Sequence, residues 1–499
     1  MHERYIGPVI ATTWSDERKL LSWQDTEFAV LESRSSLGEL DSEIQKRIEN
    51  KLRQTPIDIE HWKELDRQLH HDLNAFVGER IRHLQPEDQP FFHEGITSYD
   101  TEESAFVRML KKSAEEVLKK AGPLKTTLAY MARKYRYVPM MARTHGQEAQ
   151  LQSFGKRCLC WLRDLRVDIQ TLERAMENLR FSKLSGATGS YGGITPAVEK
   201  KALELLGLEP FHGATQIMPR ELYAPLAQAL CQLVCTINKI ALAIRLGARS
   251  GRPLYHEPFS KTQKGSSAMP HKKNTILTEQ LEGMESMAKG YLFMIMDRIK
   301  TWEERAIEQS CVERVAWPDL FHVTIRCLTV IDKVLSGLVV YPDNMLLEII
   351  ESCGCFASNA AKEFLKTRAA GAGISVEEAY RIVQIASFNA QEPSETTRSV
   401  RDDMNSSPSS WEKAKAGIRE LRETDWRKTK SIQTIIEEAQ LKPSDQLEAS
   451  EGDVGRWNAA LTTIFIPSDV HDEWAQLFDI EVLLRDEGTL FDKVLGDAD

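Results

Sequence analysis

The fold class of this chain is decided by the stretch from Asn274 to Ile299, which reads NTILTEQLEGMESMAKGYLFMIMDRI. Apolar residues recur in it at steps of three and four positions: Leu277, Leu281, Met284, Ala288, Tyr291, Ile295 and Ile299. This spacing places them on one face of an α-helix and sustains that face over about seven turns. Asn274 favours the N-cap position, because its side-chain oxygen can accept a hydrogen bond from a free backbone amide. We therefore predict a long helix that begins at Asn274.

Four other segments show the same helical spacing, whereas strand-like patterns are few and short. These segments are Thr101–Tyr135, Phe154–Leu179, Pro196–Leu206 and Leu226–Leu246. The last is apolar on more than one side, which predicts a helix at the centre of a bundle. Because it contains Gln232, Asn238 and Lys239, we interpret it as a buried helix and not as a membrane span.

The pattern divides the chain into three parts. We predict an all-α fold with an N-terminal helical domain at residues 1–106 and a central long-helix bundle at residues 107–343. A C-terminal helical domain follows at residues 344–499 and ends in an acidic tail. Within this tail we expect LTTIFIPS, residues 461–468, to form a short strand.

The composition limits the classes of partner and cofactor. The formal net charge of −10 argues against binding to nucleic acid or to an anionic membrane. The eight cysteines form no C-x-x-C pair and have no histidine at zinc-site spacing, so we predict free thiols, no metal and a reducing compartment. No P-loop, dinucleotide-binding or serine-hydrolase motif is present, so no cofactor is predicted. The first residues lack the pattern of a signal peptide, and we expect a cytoplasmic protein.

The loop KGSSAMPHKKN, residues 264–274, lies directly before the long predicted helix. Gly265 and the small serines give it a mobile backbone, which Pro270 then stiffens. Its polar donors are Ser266, Ser267, Lys272, Lys273 and Asn274. Donors on a loop that opens into a helix predict a site for an anionic small molecule.

This loop resembles the signature G-S-S-x-M-P-x-K-x-N of the fumarase/aspartase superfamily. The opening ERYIGPVIATTW and the later VVYPDNM resemble its adenylosuccinate lyase branch. The resemblance extends from about Met1 to about Arg401. It implies three mostly helical domains whose central helices assemble in a homotetramer, with each active site drawing segments from three subunits. It also implies an elimination that releases fumarate from adenylosuccinate, giving AMP, and from the succinylated aminoimidazole carboxamide ribotide.

The resemblance implies roles for five catalytic residues. Ser266 would be the base that removes the Cβ proton, with its alkoxide stabilised by backbone amides and by Lys272. His145 would be the acid that protonates the leaving nitrogen, since its ordinary pKa suits proton transfer at neutral pH. Glu279 would pair with His145, and His71 would be a second histidine beside the substrate.

The resemblance also implies the substrate contacts. The phosphate would be bound by Arg4, Tyr5, Ser310 and Arg314. The succinyl carboxylates and neighbouring groups would be held by Thr97, Ser98, Gln216, Ser267, Lys272 and Asn274. Further substrate-binding positions are His70, Asp72, Lys273 and Arg305.

Several positions depart from the family pattern. His70 and Lys273 each replace an arginine, and Thr275 replaces a proline. Ala306, Glu308 and Gln309 replace Asp, Ser and His, and Glu308 brings negative charge towards the expected phosphate site. Two alternatives stay open: another lyase or cycloisomerase of the superfamily, argininosuccinate-like or carboxymuconate-like, and a structural homologue without activity.

Overall fold

The computed structural model describes residues 1–392 and 430–496, which form two compact units. The first unit comprises Met1–Leu128, Trp161–Arg249 and Tyr255–Val339. The second comprises Ala129–Cys160, Ser250–Leu254 and the described part of Val340–Asp499. The predicted end of the family resemblance at Arg401 lies outside the described residues.

Helices account for most of the first unit. They are α1 Pro8–Thr13, α2 Asp16–Ser36, α3 Ser42–Arg53, α4 Ile59–Leu69, α5 Asp72–Ile81, α6 Ser98–Lys134, α7 Phe154–Met176, α8 Pro196–Leu205, α9 Ala224–Gly247, α10 Ile276–Met296 and α11 Glu308–Ser336. The last residues of α6, 129–134, and the first residues of α7, 154–160, are assigned to the second unit. Short strands β3 Phe181–Ser182 and β4 Glu209–Pro210 pair in parallel, and β5 is Tyr255–His256.

The centre of the first unit is formed by α9, α10 and α11, which pack against one another. The segment Arg220–Gly247, which includes α9, is long and apolar enough to cross a membrane, but half of its most apolar part is buried inside the protein. Five aromatic rings from Trp14, Phe106, Tyr223, Trp317 and Phe321 contact one another edge-on or at a tilt. Because α9 packs against both α10 and α11, the predicted central position of Leu226–Leu246 is confirmed.

The second unit contains a hairpin and a separate hydrophobic cluster. Strands β1 Pro139–Thr144 and β2 Gln147–Ser153 are antiparallel, with Thr144 opposite Gln147. Its remaining elements are β6 Val339–Val340, α12 Pro342–Glu351, α13 Ser358–Arg368, α14 Val376–Gln391, α15 Ile432–Glu437, α16 Glu451–Ile464, α17 Ser468–Gln476, α18 Ile480–Leu484 and α19 Glu487–Gly496, with Val339 itself assigned to the first unit. Trp474 is fully buried at the centre of the cluster, against Phe364, Phe465 and Phe478.

The helices predicted from apolar spacing are confirmed as α6 to α10, with ends that differ from the predicted ones by a few residues. The expected strand at residues 461–468 is wrong: Leu461 to Ile464 end helix α16, and Ser468 begins α17. The apolar residues of this segment meet a core at helical spacing, since Leu461 and Ile464 are both buried. The division into three domains stays a prediction.

Candidate active site

The loop from Gly265 to Asn274 is closed on itself in the first unit. The Asn274 side-chain amide donates to the Gly265 carbonyl at 2.8 Å. A Cβ atom at position 265 would lie 1.8 Å from the Lys272 carbonyl oxygen, so only glycine fits there. The Lys272 amide also donates to the Met269 carbonyl at 3.0 Å. These bonds give the loop a defined shape around its serine residues.

The Ser266 hydroxyl lies at the centre of this loop. Its Oγ atom accepts hydrogen bonds from the Met269 amide at 3.1 Å and from the Ala268 amide at 3.3 Å. Two amide dipoles directed at one oxygen stabilise negative charge on it. Both amides come from the two positions that follow Ser267, so the bonds also fix the direction of the Ser266 side chain within the loop. Ser267 beside it is exposed.

Helix α10, which follows the loop, is capped by a residue that the sequence did not indicate. The predicted N-cap at Asn274 is wrong, because its side chain is used to close the loop and the helix begins at Ile276. Buried Glu257 takes that role: its carboxylate accepts from the Leu277 and Thr278 amides at 3.2 and 3.1 Å. A carboxylate at this end also interacts favourably with the helix dipole.

Two further predicted residues lie on or beside α10. Glu279 is in its first turn, half-exposed, with its carboxylate 3.9 Å from the Arg245 guanidinium. The Lys273 carbonyl is contacted by His256 at 3.1 Å, and the Lys273 ammonium lies 5.8 Å from the centre of the Phe259 ring.

His145 lies in the second unit, at the tip of the β1–β2 hairpin. It occupies the two-residue turn together with Gly146, and φ is +54° for His145 and +78° for Gly146. Positive φ at both positions is the backbone of a type I′ turn. The hairpin therefore presents an exposed imidazole on a tightly defined turn.

Arg314 contacts two carboxylates in the first unit. Its guanidinium lies 2.7 Å from Asp72 and 3.7 Å from Glu102. It lines a cavity of about 260 Å³ together with Ser310, Glu102 and Lys19, and the aromatic wall of this cavity includes Trp14 and Trp23. Ser310 and Arg314, both predicted to bind phosphate, thus line one cavity. The carboxylate closest to the Arg314 guanidinium is that of Asp72.

Glu102 has a strongly perturbed carboxyl group in this cavity. Burial and the nearby Asp72 carboxylate raise the pKa of Glu102 to about 8, while Arg314 acts in the opposite direction. The carboxyl group is therefore mostly protonated at neutral pH. In that form it can donate a hydrogen bond into the cavity without adding negative charge beside Arg314.

Arg305 joins two of the predicted binding segments. Its guanidinium donates to the Gln216 side-chain oxygen at 2.8 Å and stacks 3.9 Å from the centre of the Tyr99 ring. The Gln216 amide in turn donates to the Ala187 carbonyl at 3.1 Å. The structure thus brings Arg305 and Gln216 together, next to the start of α6.

Thr97 and Ser98 lie at that start. The Thr97 amide donates to the Asp100 carboxylate at 2.8 Å, and Ser98 is the first residue of α6. His71 is the N-cap of α5, where its Nδ1 atom accepts from the Asn74 amide at 3.3 Å. His70 precedes it with a positive φ of +51° and ends α4. His70, in place of the usual arginine, therefore terminates a helix.

Arg4 and Tyr5 form a short turn that packs on α11, the helix that carries Ser310 and Arg314. The segment is fixed by the Gly7 amide, which donates to the His322 Nδ1 atom at 3.1 Å. Burial lowers the pKa of His322, so this ring nitrogen stays available as an acceptor. Arg4 is exposed and Tyr5 half-exposed.

Buried charged groups beneath these segments were missed by the sequence reasoning. Lys183 and Asp100 form an ion pair at 2.7 Å with both side chains fully buried. Arg220 is paired with Glu103 and Glu313, each at 2.9 Å. Their partners are far apart along the chain, and no local motif marks them.

Comparison with known proteins identifies the family. A family profile described as Lyase matches residues 14–290, more than half of the chain. An adenylosuccinate lyase of Thermotoga maritima is 35% identical over 384 residues, which cover 77% of this chain and 87% of that protein. One from Aquifex aeolicus is 34% identical over 396 residues, covering 79% of this chain and 90% of the relative.

A solved structure of a fumarate lyase from a Mesorhizobium species superimposes with a TM-score of 0.77 at 18% identity and covers 100% of both chains. It has the same mostly helical fold, which confirms the predicted fold class. Together with the sequence matches, these findings show that the chain belongs to the adenylosuccinate lyase family of the fumarase/aspartase superfamily.

Proposed function

We propose that this chain is a carbon–nitrogen lyase that eliminates fumarate from adenylosuccinate and from the succinylated aminoimidazole carboxamide ribotide. The observation that carries the proposal is the match to two adenylosuccinate lyases, at 35% and 34% identity over more than three quarters of the chain. The matched family region at residues 14–290 contains His71, His145, Ser266 and Glu279. The substrate class is a small anionic nucleotide, and the reaction belongs to purine nucleotide biosynthesis.

The first chemical step is removal of the Cβ proton of the succinyl group by Ser266. The amides of Ala268 and Met269 support this role because they already donate to the hydroxyl oxygen. They stabilise the alkoxide, and the Lys272 ammonium adds positive charge on the same loop. The carbanion that forms delocalises into the adjacent carboxylate, which Ser267 and Asn274 help to hold.

The second step breaks the bond between the succinyl Cα and the nucleotide nitrogen. The electron pair of the carbanion forms the double bond of fumarate, and His145 delivers a proton to the departing nitrogen. Glu279 would pair with His145 and orient its ring, and His71 lies beside the substrate as a second histidine. The exposed turn of the hairpin supports this assignment, because the imidazole is free to meet a loop of another subunit.

The nucleotide phosphate is bound by Arg4, Tyr5, Ser310 and Arg314. Guanidinium groups suit phosphate because they donate in a planar fork. Asp72 contacts Arg314 at 2.7 Å, so a phosphate would compete with this carboxylate for the same cation. Arg305 and Gln216 are already joined by a hydrogen bond and act with Thr97 and Ser98 on the remaining substrate groups.

The enzyme acts in the cytoplasm as a homotetramer with shared active sites. Apolar side chains on two of the three central helices support this assembly, since Leu246 of α9 is 53% exposed and Phe293 of α10 is 73% exposed in the single chain. Exposed apolar residues on core helices are typical of subunit contacts. In the assembled enzyme the loop Gly265–Asn274, here called the serine loop, and the β1–β2 hairpin of different subunits would complete each site.

Incubation of the purified protein with adenylosuccinate tests the proposal by the absorbance of released fumarate. Ser266→Ala should lower kcat by about a thousandfold or more, since it removes the base. The matched variant Ser267→Ala makes the same chemical change at the next residue and should mainly raise KM. Argininosuccinate and carboxymuconate serve as alternative substrates.

An inactive wild-type protein with all of these compounds would favour a structural homologue. Turnover of argininosuccinate or carboxymuconate, without turnover of adenylosuccinate, would identify another lyase or cycloisomerase of the superfamily. Full activity in Ser266→Ala would remove the assigned base.

A further inference from the structure

Lys183 places an ammonium group inside the first unit, below the loops that carry the proposed succinyl-binding residues. Its side chain is fully buried, and so is that of its ion-pair partner Asp100. The Nζ atom lies 2.7 Å from the Asp100 carboxylate and donates to the carbonyls of Gly186 and Gln216, each at 2.9 Å. An ammonium has three N–H donors, so each of them has a partner here.

We propose that Lys183 is a positioning residue that sets the geometry of the succinyl-binding end of the site, an inference that rests on the proposed function. It does not touch the substrate. It acts through Gln216, whose carbonyl it holds directly, and through Thr97, whose amide is bound by the other oxygen of Asp100 at 2.8 Å.

The Asp100 carboxylate extends this connection to a third segment. Its Oδ1 atom accepts from the Gly186 amide at 3.2 Å as well as from Lys183. One buried ion pair therefore fixes the start of α6, the glycine-rich turn at 186–193 and the segment around Gln216. Gly186 is 86 residues from Asp100 along the chain and Gln216 is 33 residues from Lys183, so nothing local joins these segments.

Close backbone contacts show that these segments meet without spare room. A Cβ atom at Gly189 would lie 2.0 Å from the Ala214 carbonyl oxygen, and one at Gly95 would lie 2.1 Å from the Gly193 carbonyl oxygen. A shift of the turn would therefore move both neighbouring segments. Above them, Arg305 donates to Gln216 and stacks on Tyr99, so a displacement reaches this guanidinium too.

An apolar or shorter side chain at position 183 cannot replace this group. It would leave the buried Asp100 carboxylate without its ion-pair partner and the Gln216 carbonyl without the Lys183 donor. The Gly186 carbonyl would keep only the longer bond from the Gly189 amide, at 3.5 Å. By contrast, the phosphate-binding residues Ser310 and Arg314 are on α11 and make no contact with Lys183 among the described residues. The inference therefore predicts an effect on one end of the substrate only.

The test measures separate dissociation constants for fumarate and for AMP by calorimetry, with turnover of adenylosuccinate in parallel. Lys183→Met should weaken fumarate binding by about tenfold or more, while the affinity for AMP changes by less than about twofold. The double variant Lys183→Met/Asp100→Asn removes both charges. It should recover thermal stability without recovering fumarate affinity, because the ties to Gly186 and Gln216 are still missing.

Arg80→Met is the matched control. Arg80 forms another fully buried ion pair in the first unit, with Glu79, but its other partners are Gln24 and the carbonyls of Thr55 and Pro56. It should lower the melting temperature and leave both dissociation constants unchanged.

Equal losses of fumarate and AMP affinity would overturn the inference, and so would recovery of fumarate affinity together with stability in the double variant. These results differ from a failure of the proposed function, in which the wild-type protein itself neither releases fumarate nor binds it.

Discussion

Glu102 makes the stability of this enzyme depend on pH, and a single substitution should remove this contribution. Its carboxyl group has an ordinary pKa of 4.5, and burial and Asp72 raise this pKa to about 8 in the folded chain. Between these two values the folded state keeps the proton that the unfolded state has lost. A raised carboxyl pKa therefore contributes stability that is fully present below 4.5 and is lost as the pH rises through 8.

The size of the effect follows from the two pKa values. While the folded state holds one more proton than the unfolded state, the free energy of unfolding falls by about 1.4 kcal/mol per pH unit. Glu102→Gln removes this titration and keeps a neutral side chain of similar shape. From about pH 5 to about pH 7 the variant should thus gain about 3 kcal/mol relative to wild type. With an unfolding entropy of about 1 kcal/mol per kelvin for a chain of this length, this corresponds to roughly 3 °C in Tm.

Thermal unfolding followed by tryptophan fluorescence is a suitable assay, because Trp14 and Trp23 line the same cavity as Glu102. Glu116→Gln is the matched control: Glu116 is on the same helix and similarly buried, but it lies beside Lys119 and Lys120 and not beside a carboxylate. A difference between Glu102→Gln and wild type that stays constant from pH 5 to pH 7, or that falls, would refute the reasoning.

Three further predictions concern packing and caps. Glu257→Ala should lower the free energy of unfolding by about 1–2 kcal/mol, because the first turn of α10 loses the carboxylate that accepts from its amides. Urea unfolding measures this free energy, and an unchanged midpoint would contradict the capping role of Glu257. Gly95→Ala should raise the KM for adenylosuccinate, since its φ is +80° and a methyl group would meet the Gly193 carbonyl; an unchanged KM would show that the loops adapt. Trp474→Ala should cost about 3–5 kcal/mol in calorimetry, as it leaves a cavity in the second unit, and a loss below about 1 kcal/mol would mean that the cluster refills it.

Apolar spacing predicted the long helices because a buried helix face is a local property of the sequence. The periodic positions from Leu277 to Ile295 lie within α10, and Leu281, Ala288 and Ile295 are buried. The ends of α10 were less predictable. Its cap comes from Glu257, 20 and 21 residues before the amides it binds, and no local rule connects them. The segment at residues 461–468 failed for a related reason, since a short apolar run does not distinguish a strand from the last turn of a helix.

The site was predictable where one segment carries the chemistry and unpredictable where several segments support it. The serine loop has its own signature, and its internal bonds from Ser266 and Asn274 are all within ten residues. Lys183 has no such mark: it lies in the irregular segment directly after β3, and its partner Asp100 is in helix α6, 83 positions earlier in the sequence. A buried lysine in a sequence resembles an exposed one, because only the folded chain shows which side chains surround it.

Two departures from the family pattern near Arg314, Glu308 and Gln309, each have a physical explanation. Glu308 is the exposed first residue of α11, where a negative charge interacts favourably with the helix dipole and is screened by solvent. Gln309 turns inward and donates to Glu313, the carboxylate that also binds Arg220. Replacing a histidine by this amide keeps a donor at the buried ion pair without adding a titratable group. The substitutions thus act on the first turn of α11, and the guanidinium of Arg314 is held by Asp72 from a different helix.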